Sequence, residues 1–79
     1  MKKITFKDCE ELKRRFDRYR DTAEQHEYTT LLMVDIPLRN TIDGMRGKQD
    51  LDEYQETLNT MFRVVLRVMG NEEEAKEYE

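Results

Sequence analysis

Residues 50–70, DLDEYQETLNTMFRVVLRVMG, form the one stretch of this sequence that begins, repeats and ends like a complete helix. Asp50 is a favourable N-cap, and Glu53 follows it at the spacing of a capping box. Gly70 suits the left-handed position that ends a helix. Apolar residues three and four apart lie on one face: Leu51, Tyr54, Leu58, Met61, Val65 and Val68. The pattern predicts a helix over residues 51–69.

The second half of this predicted helix is apolar over a wide arc. At about 100° per residue, its apolar side chains cover roughly 200° of the helical wheel, about twice what an ordinary surface helix needs. Such a helix must pack against two neighbours, either helices of the same chain or a partner. Arg63 and Arg67 lie beside the arc, and arginine next to aromatic side chains is typical of interface anchors.

Both the core and the interface interpretation of this arc stay open. The residues expected at a partner interface are Tyr54, Leu58, Met61, Phe62, Arg63, Val65 and Arg67.

The composition favours one small helical domain. The chain has 79 residues, of which 41% are charged and 37% hydrophobic, with three glycines and one proline. High charge is typical of solvated helices, and few turn residues argue against a β-sandwich or barrel. We predict a single all-α domain over residues 1–79, a three-helix bundle or helical hairpin with a short C-terminal helix. Because so small a core is marginal, we also expect self-association, most simply as a homodimer.

Two segments before the main helix have helical patterns. Thr5 and Asp8 resemble a capping box and precede an apolar stripe, which predicts a first helix over about residues 6–27. Residues 29–45 predict a second helix, broken or kinked near Pro37, because a proline ring clashes with the preceding turn.

A short helix is also expected after the main one. Asn71 and Glu74 repeat the capping pattern and predict a helix over residues 72–78.

An α+β fold is the alternative. The run of Thr, Leu and Val within residues 29–35 would also suit a buried strand, with residues 2–6 as its partner. Helix is favoured because two short strands alone make a weak sheet.

The sequence contains none of the usual catalytic or cofactor motifs. Cys9 and His26 are the only residues of their kinds, and about five helical turns would separate them on the first helix. A cysteine metal cluster and an intrachain disulfide are excluded, and phosphate-binding glycine loops and HExxH are missing. We predict a non-catalytic protein without a metal or cofactor. No apolar run approaches the roughly 18 residues of a membrane span, so we expect a cytoplasmic protein.

One basic flank of the first predicted helix suggests nucleic-acid binding as the alternative function. Its members are Lys7, Arg14, Arg15 and Arg18. Glu11 interrupts this flank, and the protein has a net charge of −4. We therefore favour a small protein-interaction module, which associates with itself or with a larger partner. It would act as an accessory regulator or inhibitor of the kind that phage and mobile-element genomes encode.

Overall fold

A computed structural model describes residues 3–22 and 28–79, with the backbone alone for residues 28–32. Within these ranges the chain has no β-strand and four α-helices: Phe6–Thr22 (α1), Tyr28–Met45 (α2), Gln55–Val68 (α3) and Glu72–Ala75 (α4). Two 3₁₀ turns, Asp52–Tyr54 and Lys76–Tyr78, precede α3 and follow α4. The predicted all-α class is confirmed. The α+β alternative is wrong, because the supposed strand 29–35 belongs to α2.

Helix α1 begins as predicted. The N–H of Thr5 donates to Asp8 Oδ2 at 2.9 Å, and the N–H of Asp8 donates to Thr5 Oγ1 at 3.2 Å, which completes a reciprocal cap. Three apolar side chains of its stripe are fully buried: Cys9, Leu12 and Phe16. The helix is described as far as Thr22. The predicted extension over residues 23–27, which includes His26, lies outside the described residues.

Helix α2 is continuous through Pro37, so of the predicted break or kink at this residue the break does not occur. Its bounds agree with the predicted 29–45 to within one residue. Pro37 cannot donate to the carbonyl of Met33, but it lies on the exposed side of the helix, where water can satisfy that carbonyl. The buried side carries Leu38, Ile42 and Met45.

Helix α3 begins four residues later than predicted. The Asp50 carboxylate accepts from the N–H of Asp52 at 2.8 Å, but a 3₁₀ turn then intervenes before the α-helix starts at Gln55. The Gln55 amide binds both backbone groups of Ile4, accepting from its N–H and donating to its carbonyl at 2.8 Å each. This pairing fixes the N-terminal segment on α3 and buries Ile4.

Gly70 ends α3 as predicted. Its φ is +81°, and its N–H donates to the Arg67 carbonyl at 3.0 Å. The N–H of Asn71 donates to the Leu66 carbonyl at 2.8 Å, which completes the usual C-terminal cap. The predicted cap of the last helix does not form. Asn71 makes no side-chain cap hydrogen bond, its N–H donates to the Leu66 carbonyl, and the carboxylate of Glu74 accepts from Arg15 of α1.

One apolar cluster joins all four helices. Its buried members are Ile4, Cys9, Leu12, Phe16, Leu38, Ile42, Met45, Leu51, Leu58, Phe62, Val65, Leu66, Ala75 and Tyr78. The last two belong to residues 71–79, which we call the C-terminal segment. It therefore contributes to the core rather than extending into solvent.

Candidate functional site

A groove of about 560 Å³ runs between α2 and α3, and we call it the α2–α3 groove. Its lining comes from α2, the turn before α3, and α3 itself: Met33, Val34, Pro37, Leu38, Thr41, Glu53, Glu56, Thr57, Thr60, Met61, Val64 and Val65. The lining includes the short side chains Pro37 and Thr41 of α2 and Thr57 of α3, which leave space between the two helices.

The floor of the groove is apolar and its edges are exposed. Leu38 and Val65 are buried at the floor, and Met61 is half-buried beside them. Met33 and Val64 expose 71% and 48% of their surface. Large apolar side chains left exposed beside an apolar floor are typical of a docking surface.

The charge of the groove is concentrated where α3 begins. Among the described residues of its lining, only Glu53 and Glu56 are charged, and both are exposed. Neither forms an ion pair with another described residue. The neighbouring Asp52 lies outside the lining and has Lys3 at 3.3 Å. The groove is thus an apolar trough with two solvent-exposed carboxylates at one end.

Most of the residues predicted at an interface contribute to the core instead. Leu58, Phe62 and Val65 are at most 3% exposed. Tyr54 and Met61 are half-buried against the same cluster. Of the predicted set, Met61 and Val65 line the α2–α3 groove.

Arg63 and Arg67 bind the C-terminal segment. Arg63 Nη1 donates to the carbonyl of Tyr78 at 2.9 Å. Arg67 donates from Nε to Glu72 at 3.2 Å and from Nη2 to Glu79. The arginine-rich surface that resembled an interface in the sequence is therefore occupied from within the chain.

Three residues that line the groove, Met33, Pro37 and Val64, were not among those predicted at an interface. Val64 belongs to the wide apolar arc of α3, so a signal was present there. Periodicity does not say which part of such an arc stays uncovered, because that depends on where α2 packs. Met33 lies in the run 29–35 that suited both helix and strand, and Pro37 follows that run.

The predicted basic flank is divided in the structure. Lys7, Arg14 and Arg18 are exposed and pair with no other described residue. Arg15 instead donates from both terminal nitrogens to the Glu74 carboxylate at 2.7 Å, and these hydrogen bonds raise the pKa of its guanidinium. Three exposed cations offer few phosphate contacts, and the structure gives nucleic-acid binding no additional support.

A buried carboxylate joins α1 to α2. Asp35 is 5% exposed, and its Oδ2 lies 3.0 Å from Arg20 Nη1 and 2.9 Å from Arg39 Nε. Arg20 also lies 3.6 Å from Asp17. Two guanidinium groups compensate one buried negative charge, which is a structural arrangement that fixes how the two helices meet. Neither Asp35 nor Arg39 lines the groove.

The single thiol is poorly suited to nucleophilic chemistry. Cys9 is fully buried, and burial, followed by the nearby charges of Asp8 and Glu10, raises the pKa of its thiol to about 11. At neutral pH the thiol keeps its proton, whereas nucleophilic attack requires the thiolate.

We expect Cys9 to react with thiol reagents far more slowly in the folded protein at pH 8 than in guanidinium chloride.

The raised pKa of the Cys9 thiol also predicts a pH dependence of stability. The unfolded thiol ionises first, near 9, so the free energy of unfolding should fall between about pH 9 and 11, by about 1.4 kcal/mol per pH unit. Denaturant titrations of the wild type and Cys9→Ala isolate this effect, because the variant lacks the thiol. Equal pH slopes for the two proteins would contradict the prediction.

Within residues 3–22 and 28–79, no group of three His, Cys, Asp or Glu side chains could hold a metal ion. No helix in those ranges is long and apolar enough to cross a membrane. No protein-family model, curated protein or solved structure matches this chain.

Proposed function

We propose that this protein is a non-catalytic docking module that binds a helical segment of another protein in the α2–α3 groove. The observation that carries the proposal is the exposure of Met33 and Val64 on either side of a buried apolar floor. A groove between two helices suits a third helix, whose apolar face would cover Met33 on one edge and Val64 on the other.

Such a module acts by covering a helix that its partner needs elsewhere, or by bringing two proteins together. Either action fits the accessory regulator or inhibitor expected from the sequence. That role, the cytoplasmic location and the phage-like origin stay predictions.

The proposal can be tested by selection from a display library of amphipathic helices with randomised side chains, using the purified wild-type chain as bait. We expect enrichment of helices with apolar residues at i, i+3 or i+4, and i+7. Val64→Glu places a carboxylate on the groove edge, so the selected helices should bind this variant at least about tenfold more weakly.

Ile36→Glu is the matched control. Ile36 is 56% exposed on α2 but does not line the groove, so the same substitution there should leave binding unchanged. Circular dichroism and thermal melting would show that both variants are folded. Two outcomes would overturn the proposal: no enrichment over the unselected scaffold, or selected helices that bind Val64→Glu as tightly as the wild type.

A further inference from the structure

We infer that the α2–α3 groove selects a helix with a lysine or arginine at one end and rejects a second copy of this chain. The inference rests on the proposed function and specifies its partner. The observation behind it is the charge of the lining, which contains Glu53 and Glu56 and no described cation.

The two carboxylates are placed to bind a single cationic side chain. Glu53 in the 3₁₀ turn and Glu56 in the first turn of α3 are three residues apart, so they lie on the same side about one turn from each other. A lysine or arginine of a docked helix can lay its methylene groups on the apolar lining and carry its charge to both carboxylates. The remainder of that helix would meet Met61 and Val64 with apolar residues.

These carboxylates contribute more to the choice of partner than to affinity. Exposed ion pairs add little binding free energy, because water and salt screen them. An acidic helix would be disfavoured, however, because its carboxylates would lie close to those of Glu53 and Glu56 when it covers the groove. Glu53 and Glu56 therefore distinguish basic helices from acidic ones of equal hydrophobicity.

A second copy of the chain is a poor occupant for the same reason. If two grooves met with their acidic ends together, four carboxylates would face one another. If they met with opposite polarity, Glu53 and Glu56 of each copy would be covered by apolar residues such as Val64, without a counter-charge. The basic flank of α1 does not remedy this, because its exposed residues are charged and cannot cover the apolar floor. The homodimer expected from the sequence is thus disfavoured through this surface.

The test uses a groove-binding helix from the selection and a copy in which its lysine or arginine is changed to glutamate. Against the wild type, the acidic peptide should bind about three- to tenfold more weakly at low salt, and the difference should shrink as salt rises. The charge-reversed protein Glu53→Lys/Glu56→Lys should show the opposite preference. In sedimentation velocity at two protein concentrations tenfold apart, the wild type should remain monomeric.

The outcomes separate this inference from the proposed function. If helices bind the groove but both peptides bind equally to both proteins, the charge selection is wrong and the docking function stands. If the wild type forms a dimer that Val64→Glu dissociates, a second copy is the occupant and the inference is overturned. If no helix binds at all, the proposed function itself fails.

Discussion

Replacing Phe62 by glutamate is expected to unfold the protein. Phe62 is 3% exposed and packs within the central apolar cluster, so the variant would either bury an uncompensated carboxylate or open the core. Burial of an unpaired charge together with loss of aromatic packing costs more than about 4 kcal/mol. A domain of this length has a total stability of about 4–12 kcal/mol, so most or all of it would be lost.

Val64→Glu is the matched variant on the same helix. Val64 is 48% exposed, so the same carboxylate there remains in water and should change the free energy of unfolding by no more than about 0.5 kcal/mol. Far-ultraviolet circular dichroism and urea titration of the two variants measure the contrast. A folded Phe62→Glu protein with wild-type stability would show that this face of α3 is not a core.

Tyr78→Ala is expected to lower the melting temperature by about 10–30 °C. Tyr78 is 5% exposed, and its ring centroid lies 5.0 Å from that of Phe62. Removal of a buried aromatic ring from this contact costs about 2–4 kcal/mol, and each kcal/mol shifts the midpoint of a domain this small by several degrees. The substitution would also uncover Phe62 and loosen the segment to which Arg63 and Arg67 bind.

Glu77→Ala serves as the control in the same turn. Glu77 is exposed and pairs with no other described residue, so its removal should leave the melting temperature within a few degrees of the wild type. Differential scanning calorimetry compares the two. If Tyr78→Ala melts like Glu77→Ala, the C-terminal segment does not stabilise the core, and the surface with Arg63 and Arg67 becomes available to a partner.

Local sequence signals predicted the boundaries that depend on neighbouring residues. The reciprocal cap of Thr5 and Asp8 starts α1, and Gly70 ends α3 with a positive φ, because each needs only groups within a few residues. The buried stripe of α1 followed for the same reason. A helix that exposes one side to water must place its apolar residues three and four apart.

Contacts between distant residues were beyond such signals. The Gln55 side chain, at the residue where α3 begins, pairs with the backbone of Ile4, 51 residues away. Glu74 had the spacing of a helix cap, but Arg15, at a separation of 59 residues, binds it bidentately. A paired, charge-assisted hydrogen bond is stronger than a cap, and the competing partner can be recognised only when the fold brings it close.

The sequence by itself favoured an all-α fold, placed the described ends of its helices to within a few residues, and indicated that α3 is apolar on more than one side. Only the tertiary structure decided how that wide face is divided. Phe62 and Val65 pack inside, Arg63 and Arg67 bind the C-terminal segment, and Met61 and Val64 line the groove beside α2. The physical reason is that the hydrophobic effect is non-directional. An apolar side chain is stabilised by leaving water, but packing against particular neighbours determines which side chains are buried and which remain exposed.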